Sequence, residues 1–308
     1  MPAQPLARPT PPSVIVVILN TNRREDTLAC LASLARSTYA AQQILVVDNA
    51  SSDGSLEAIH IAFPAVHTLA LVENRGYAGN NNAGIAWALE HGADWVLILN
   101  EDTVVGPDCV ANLVEAAEGN PQIGMVGPTV YHFDEPTVIQ SAGGRLSRNW
   151  LPLHRGQNQS DSGQFAIPAA VEWLSGCALM VRRALVEQVG RFDERYFIYW
   201  EEVDWCLRAT RMGWRLLHVP QAHLWHKGVQ RHYRPGPGVT YYSTRNRLLL
   251  LSKHHAPLAI QLAAAGALLG TLASWTLKPK WRAMRPHRDA MLRGLLDFAR
   301  HRWGMRAL

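Results

Sequence analysis

Two nucleotide-binding motifs are missing from this 308-residue sequence. No G-x-G-x-x-G follows the first apolar segment and no G-x-x-x-x-G-K-[ST] occurs anywhere, which argues against a dinucleotide-dependent oxidoreductase and a P-loop NTPase. Cysteine is scarce, and its four copies form no C-x-x-C pair, so we expect small core residues in a reducing compartment. Residues 1–12 are rich in proline and lack an apolar stretch, which predicts a disordered arm rather than a signal peptide.

Charge is low in the body of the chain and concentrated at its end. Charged residues make up 18% and hydrophobic residues 48% of the sequence, so it can bury a large core. Residues 278–308 carry nine Lys or Arg against two Asp, a net charge of +7, which leaves −2 for residues 1–277. A nucleic-acid-binding protein would have its basic residues along a groove of the folded domain, so we expect no nucleic-acid partner.

Apolar runs alternate with helical patterns from residue 13 onward. Strands are expected near 14–19, 44–47, 66–72 and 95–99, and helices near 83–90, 107–118, 183–189 and 201–212. Short loops between strand and helix indicate an α/β fold with a mostly parallel central sheet and helices on both faces. We expect one domain over residues 13–255, followed by a helical tail over residues 256–308.

Polar residues follow four of the expected strands: Asn20, Asp48, Asn74 and Asp102. Ligands of open α/β sheets bind beyond the carboxyl ends of the strands, so these residues predict a nucleotide site. The segment Trp95–Thr103 runs from buried strand straight into Glu101 and Asp102, and buried carboxylates are costly unless they are paired or bind a cation. We therefore expect a hard divalent cation at Asp102, with Glu101 as a second candidate; the alternative is an acidic turn.

The segment Asn74–Gly84 is a second candidate for ligand binding. Its small residues and amides at a helix start would let backbone N–H groups approach a ligand closely, and Arg75 is suited to a phosphate. Three successive Asn residues, ending at Asn82, are poor helix formers, which favours a ligand over an ordinary glycine-rich loop.

A third candidate lies at the start of the helix over residues 201–212. Glu201, Glu202 and Asp204 stand among aromatic residues that include Trp200. Apolar rings raise the proton affinity of a carboxylate, as a general base near neutral pH requires, although a solvated salt-bridge face is the simpler alternative. His226 is a candidate metal ligand and Arg245 a candidate phosphate ligand.

The uncharged stretch 258–277 is long enough to cross a bilayer. Its Ala, Gly and polar residues favour an interfacial or re-entrant helix, followed by a basic amphipathic segment that an anionic membrane surface would attract. Full spanning, packing on the domain and a homodimer contact remain alternatives.

Taken together, these segments resemble glycosyltransferase family two, the inverting transferases of the GT-A fold, and most closely its bacterial rhamnosyltransferase-like branch. The matching segments are Val17–Thr21, Val46–Ser55, Asn74–Gly84, Leu97–Thr103, Trp173–Ala178, Phe197–Arg208 and Trp225–Gly228. The usual Asp-x-Asp is Asn100-Glu101-Asp102 here, and the position of the catalytic base carries Glu202 instead of Asp.

The resemblance implies a sugar nucleotide donor, Mg²⁺ or Mn²⁺, and a single displacement at the anomeric carbon. Asp102 and His226 would bind the metal, and Glu202 or Glu201 would be the base. The donor nucleotide would contact Leu19, Asn20, Thr21, Asp48, Asn74, Arg75, Gly76, Asn82, Asn100 and Glu101. The acceptor side would include Trp173, Gly176, Trp200 and Asp204.

The implied activity is transfer of a sugar from dTDP-rhamnose or a UDP-sugar to a glycan or polyprenyl-linked acceptor during cell-surface polysaccharide assembly. The enzyme would be cytoplasmic and peripheral on the inner face of the bacterial plasma membrane. Two alternatives remain open: a sugar-1-phosphate nucleotidyltransferase, and a non-catalytic protein that binds sugar nucleotides or glycans.

Overall fold

The structure is a computed structural model that describes residues 10–228 and 230–306. Most of the expected arm over residues 1–12 therefore lies outside the described residues. The strands of the described residues are β1 (Val14–Asn20), β2 (Gln42–Asn49), β3 (His67–Leu71), β4 (Trp95–Asn100), β5 (Thr103–Val105), β6 (Ile123–His132), β7 (Ile139–Ser141), β8 (Gly144–Leu146), β9 (Pro152–His154), β10 (Ala169–Ala170), β11 (Ala178–Arg182) and β12 (Arg215–His226). The α-helices are α1 (Arg24–Leu34), α2 (Ser55–Ala62), α3 (Gly76–Glu90), α4 (Cys109–Glu118), α5 (Arg183–Val189), α6 (Glu201–Arg211), α7 (Pro237–Lys253), α8 (Leu258–Leu277) and α9 (Arg285–Ala299).

Strand β1 lies in the middle of the sheet, which explains why it is apolar throughout. It pairs in parallel with β2 on one side and β4 on the other. Alternate side chains of a strand point to opposite faces. Ile15 and Val17 pack into a core with α3, α5 and α6, while Val16 and Ile18 pack into a second core with α1, α2 and α4. Both faces of the sheet are thus covered by helices.

The main sheet has a parallel part and a mixed part. Strands β3, β2, β1 and β4 are all parallel, and β11 then pairs antiparallel with both β4 and β6. Strand β12 runs parallel to β6 and also pairs with the short β5 just after Asp102. The predicted α/β class, with a mostly parallel sheet covered on both faces, is confirmed.

Two features differ from the sequence-based expectation. Helix α3 begins at Gly76, before the three Asn residues that were expected to open it, because its first turns are fixed by contacts with the 192–197 segment. Neither the length of β6, which continues to His132, nor the long β12 after α6 was expected from the sequence. Their pairing partners are distant in sequence, so local pattern did not reveal them.

The tail is built partly into the body of the protein. Helix α9 packs on α7, where an added Cβ on Gly294 would lie 2.8 Å from the Tyr241 carbonyl oxygen. Asp297 accepts a hydrogen bond from the Tyr241 hydroxyl at 2.8 Å. Helix α8, in contrast, is mostly exposed and contacts α9 through a few apolar residues. The boundary at residue 255 stays a prediction, but α9 is not separable from α7.

Candidate functional site

A cavity of about 320 Å³ lies at the carboxyl ends of β4, β1, β2 and β3. Its lining includes seven of the residues singled out from the sequence: Leu19, Thr21, Asn74, Gly76, Asn100, Glu101 and Asp102. Asn49, Tyr77, Asn80, Phe197 and Ile198 complete it. Residues that are far apart in sequence are therefore brought together at the expected edge of the sheet.

Asp102 and His226 are neighbours in this site. His226 is the last residue of β12, and its Nε2 lies 3.0 Å from Asp102 Oδ1. Its other ring nitrogen, Nδ1, is 2.9 Å from the Gln140 side-chain oxygen, which fixes the ring orientation. Gly228 is the third neighbour, because an added Cβ there would collide with Asp102 Oδ2 and crowd His226. The chain thus keeps open space beside the Asp102 carboxylate.

Asp102 and the neighbouring Glu101 differ in their charge states. Burial opposes ionisation of Asp102, but its contact with His226 and the charge of that ring outweigh burial and lower the pKa of Asp102. Burial, together with the charge of Asp102, raises the pKa of Glu101 to about 7. Of these two residues, Asp102 is therefore the one that is ionised at neutral pH.

A divalent cation fits this arrangement if a ligand supplies further oxygen atoms. Asp102 Oδ1 is buried and lies 3.0 Å from His226 Nε2, but it receives no hydrogen bond of regular geometry from the described residues, so a cation held by these two side chains would satisfy it. Within residues 10–228 and 230–306, no group of three or more His, Cys, Asp or Glu is arranged to hold a metal alone. Sites of one or two protein ligands completed by substrate phosphates are typical of Mg²⁺.

Asp48 and Asn20 stand behind the cavity wall. Asp48 is 2% exposed and accepts hydrogen bonds from Asn20 Nδ2 at 2.6 Å and from the Ser51 backbone N–H at 3.0 Å. Asn20 is fully buried and also accepts from the Thr27 hydroxyl. These two residues tie the loops after β1 and β2 together, and it is their neighbours Thr21 and Asn49 that reach the cavity.

The residues around Asn74 also divide into those that line the cavity and those that support it from behind. Asn74 lines the cavity and accepts from the Gly76 backbone N–H at 2.8 Å. Arg75, in contrast, points to Glu194 at 2.8 Å, and Asn82 pairs with both backbone groups of Phe192. Arg75 and Asn82 therefore fasten α3 to the 192–194 segment and do not line the cavity.

Glu201 and Glu202 begin α6 close to the cavity. Tyr77, a lining residue, donates to the Gly176 carbonyl, and an added Cβ on Gly176 would lie 3.7 Å from Glu202 Cβ. Burial raises the pKa of Glu202 to about 7 and that of Glu201 well above its ordinary value. Each side chain also has a buried Oε2 without a hydrogen-bond partner. Near neutral pH, Glu202 is therefore the residue of this pair that can lose a proton.

The other expected acceptor-side residues have different surroundings. Trp173 is 2% exposed, donates its indole N–H to the Arg145 carbonyl and belongs to the core. Trp200 is partly buried against the same core. Of the expected acceptor-side set, Gly176 lies beside Glu202 from a distant part of the chain, and Trp200 directly precedes the helix that carries Glu202.

Asp204 is part of a buried ion-pair network. It contacts three basic side chains, those of Arg208, Lys253 and His254. Burial opposes its ionisation, but these basic groups outweigh that effect and lower the pKa of Asp204. Because its oxygens are occupied by partners on α6 and α7, the structure gives Asp204 a packing role rather than the expected contact with an acceptor.

Arg245 is completely buried and does not reach the cavity. Its guanidinium donates to the backbone carbonyls of Arg195, Tyr196 and Gly304 and to the Asn246 side chain. No N–H group is left for a phosphate, so the expected phosphate contact is corrected to a structural one. The carbonyls that it holds lie directly before Phe197, a cavity residue.

The segment 197–200 has an unusual backbone. Phe197, Tyr199 and Trp200 all have φ between 66° and 78°, a region that non-glycine residues rarely adopt. The strain is maintained by Arg245 and Asn246, which hold the surrounding carbonyls, and by Gly76, where a Cβ would collide with the Phe197 carbonyl oxygen. Phe197 and Ile198 were not expected at the site, because nothing in the local sequence signals this conformation.

Sequence comparisons identify relatives of known type. The family model for glycosyl transferase family 2 matches residues 13–190. An N-acetylglucosaminyl-diphospho-decaprenol L-rhamnosyltransferase of Mycobacterium tuberculosis is 32% identical over 266 residues, which cover 77% of this chain and 85% of that protein. The dTDP-rhamnosyl transferase RfbF of Shigella flexneri is 27% identical over 82% of this chain and 86% of its own length.

Solved structures share the fold. A mannosyltransferase from Pyrobaculum calidifontis, in complex with GDP-Man and Mn²⁺, has a TM-score of 0.58 at 18% identity and covers 94% of this chain and 88% of its own. GalNAc-T7 with UDP, GalNAc and Mn²⁺ has a TM-score of 0.63 at 16% identity and covers 80% of this chain and 48% of its own. These similarities confirm the GT-A architecture. With the matched family model and the mycobacterial relative, they lead to one conclusion: this chain is a member of glycosyl transferase family 2.

Proposed function

We propose that this glycosyltransferase moves a sugar, rhamnose, from a nucleoside-diphosphate donor to a hydroxyl of a lipid-linked glycan, with inversion at the anomeric carbon. dTDP-rhamnose is the first candidate donor and a UDP-sugar the second. The names of the mycobacterial and Shigella relatives support rhamnosyl transfer and cell-surface glycan assembly. The comparisons give no support to the nucleotidyltransferase or the non-catalytic binding protein.

One observation carries the proposal: one acidic side chain lines the cavity, and a second, of raised pKa, lies at its border. Asp102 lines the cavity, and Glu202 lies behind Tyr77 and Gly176 at its border. Burial raises the pKa of the Cys177 thiol to about 12, and the charges of both Asp102 and Glu202 add to that rise, so both carboxylates lie near this thiol. An ionised carboxylate and a titratable base at one cavity are the two groups that the displacement requires.

In the proposed mechanism, Asp102 and His226 would hold a divalent cation, Mg²⁺ or Mn²⁺, on the side of the cavity where the donor diphosphate would bind. When bound, the cation would neutralise the charge that develops on the leaving diphosphate. Mn²⁺ in the two structural neighbours supports a divalent cation. Thr21, Asn49 and Asn74 would orient the nucleotide from the neighbouring strand ends, and Asn20 and Asp48 would position those loops.

Glu202 would remove the proton from the acceptor hydroxyl. Its pKa of about 7 leaves it substantially ionised at neutral pH, whereas Glu201, with its pKa well above the ordinary value, stays protonated. Because it is neutral, Glu201 would not add a second negative charge to this buried region. The attacking oxygen would then form a bond to the anomeric carbon as the bond to the diphosphate breaks.

We predict that Glu202→Gln lowers kcat by about a hundredfold or more, because the general base is lost, while the dissociation constant of the nucleotide sugar changes little. Sugar transfer and calorimetric binding of UDP and dTDP donors would be measured on the same preparations. Glu201→Gln should retain more activity, because the residue is already neutral. The exposed Glu115→Gln serves as the matched control, and wild-type turnover in Glu202→Gln would exclude Glu202 from the chemistry.

The pH profile should have an acid limb near the pKa of Glu202. Burial raises this pKa to about 7, so Glu202 is protonated and inactive below that pH and ionised above it. We therefore expect kcat to rise as pH increases through about 7 and then to level off. Because the pKa of Glu101 is also raised to about 7, the residual activity of Glu202→Gln must be measured too. A limb that persists in this variant would belong to Glu101.

We also propose that the enzyme is cytoplasmic and binds the inner face of the plasma membrane through α8. This helix is long and apolar enough to cross a bilayer, and Leu258, Leu262, Leu269 and Leu277 are 63–77% exposed. An amphipathic arrangement, with the apolar side of α8 in the lipid and the basic residues after it near anionic headgroups, suits an acceptor carried on a lipid. Because α9 packs on α7, truncation at residue 255 is a poor test of this role.

Replacing Leu262 and Leu269 together by Gln should lower the fraction of protein that floats with phosphatidylglycerol-containing vesicles, because apolar area is lost from the interface. Ile61→Gln with Ile167→Gln, two exposed residues of the body, is the matched control. Unchanged flotation of the leucine variant would contradict the membrane role. If that variant instead changes from dimer to monomer in sedimentation, α8 is a contact between two copies.

A further inference from the structure

A second cavity, of about 280 Å³, lies between α7, α9 and the segment that follows α9. The residues that matter for its chemistry are Tyr241, Arg293, Asp297, Arg300, Arg302 and Arg306. Four guanidinium groups thus face one cavity together with a single carboxylate. We call this feature the arginine cavity.

The carboxylate in the arginine cavity is already neutralised. Asp297 is 4% exposed and accepts hydrogen bonds from Arg306 Nε at 2.8 Å and Arg306 Nη2 at 3.1 Å, and from the Tyr241 hydroxyl. These hydrogen bonds, led by that of Arg306, lower the pKa of Asp297, so it remains an anion paired with Arg306. No ion pair compensates the charges of Arg293 and Arg300 among residues 10–228 and 230–306, while the charge of Arg302 also helps to lower the pKa of Asp297.

Arg293, Arg300 and Arg302 are exposed side chains that line the cavity. By comparison, the partly buried Arg182 and the fully buried Arg245 donate to backbone carbonyls. Arg293, Arg300 and Arg302 form no side-chain hydrogen bond or ion pair with residues 10–228 or 230–306. Arg300 lies at the carboxyl end of α9, where the helix dipole favours a cation. Arg293 lies about two turns earlier on the same face, beyond the reach of that effect. The positive charges of these three arginines repel one another unless an anion is bound near them.

The walls of the arginine cavity are fixed by packing. Gly294 allows the close approach of α9 to the Tyr241 backbone, and Arg245 Nη1 donates to the Gly304 carbonyl at 3.0 Å. The Arg306 backbone N–H donates to the Tyr242 hydroxyl at 3.1 Å. A site held in this way by two helices and a bonded terminal segment is preorganised for a ligand.

The arginine cavity is also linked to the donor cavity. Tyr241 packs edge-on against Tyr242 with ring centroids 4.9 Å apart, and Tyr242 stacks on Phe197 at 5.4 Å. Phe197 lines the donor cavity. The two cavities therefore share one continuous aromatic wall.

We propose that the arginine cavity is a binding site for a phosphate or diphosphate group, separate from the donor site. Arginine forks match phosphate oxygens geometrically, and several of them around one cavity provide charge-assisted hydrogen bonds. The same chemistry serves two sources, a phospholipid headgroup of the membrane or the diphosphate of a lipid-linked or free compound. The proposal does not depend on which sugar is transferred.

The test is binding of inorganic pyrophosphate to the full chain by calorimetry, in EDTA so that no cation supports the donor site. Replacing Arg293, Arg300 and Arg302 together by Gln should weaken binding about tenfold or more, since charge-assisted hydrogen bonds are lost. The matched control replaces Lys278, Arg282 and Arg285 by Gln, which removes the same charge from the same region outside the cavity. The control should bind nearly as the wild type does.

Flotation with vesicles of phosphatidylcholine, with and without phosphatidylglycerol, separates the sources. A loss of binding to anionic vesicles that is larger in the cavity variant than in the control supports a phospholipid headgroup. Equal flotation of both variants, together with a selective loss of pyrophosphate binding, supports a diphosphate compound. Arg293→Gln alone provides a milder variant if the triple substitution lowers stability.

Equal pyrophosphate affinity in the cavity variant and the control would overturn the proposal, because only the general charge of the tail would then matter. Absence of pyrophosphate binding in the wild type, with equal vesicle binding by both variants, would overturn it too. Neither result would affect the proposed sugar transfer, since no donor or cation is present in these measurements. Conversely, failure of sugar transfer would leave this binding test unchanged.

Discussion

Burial of the Asp102 carboxylate at the end of β4 is the constraint that the rest of the site depends on. An anion in that position is costly unless it has a partner, and the fold supplies His226 by pairing β12 with β5. Gly228 keeps space beside the carboxylate, and Gln140 fixes the imidazole. The mixed half of the sheet therefore positions Asp102 and His226. The parallel half supplies the residues on the nucleotide side of the cavity.

The site also depends on the segment 196–200. This segment supplies Phe197 and Ile198 to the cavity and leads directly into Glu201 and Glu202. Its backbone is held in a strained form by Arg245 and Asn246 of α7, and α7 in turn packs against α9. The C-terminal helices thus act on the position of the proposed base, which explains why α9 is built into the body rather than attached as a free tail.

Strands β1, β2 and β4 of the parallel part were predictable because they contain continuous apolar runs that are buried on both faces. Asp102 could be singled out from the sequence because a buried carboxylate is costly without a partner. The roles of His226 as a metal ligand and of Glu202 as the base were indicated by the family resemblance. The antiparallel pairing of β11 and the length of β12 could not be predicted, because they depend on distant partners. The roles of Arg245, Asp204 and Trp173 could not be predicted either. They depend on burial by distant parts of the chain, and the local sequence does not show that burial.

The central claim is that Asp102 binds a cation that also contacts the diphosphate of the donor. Anomalous diffraction from crystals grown with Mn²⁺ and a nucleoside diphosphate tests it most directly. The account predicts an anomalous peak bonded to an Asp102 carboxylate oxygen, with the diphosphate as a further ligand, inside the cavity between Asn49, Asn74 and Asp102. A nucleotide bound in this cavity with Mn²⁺ elsewhere, or without any metal at Asp102, would contradict it.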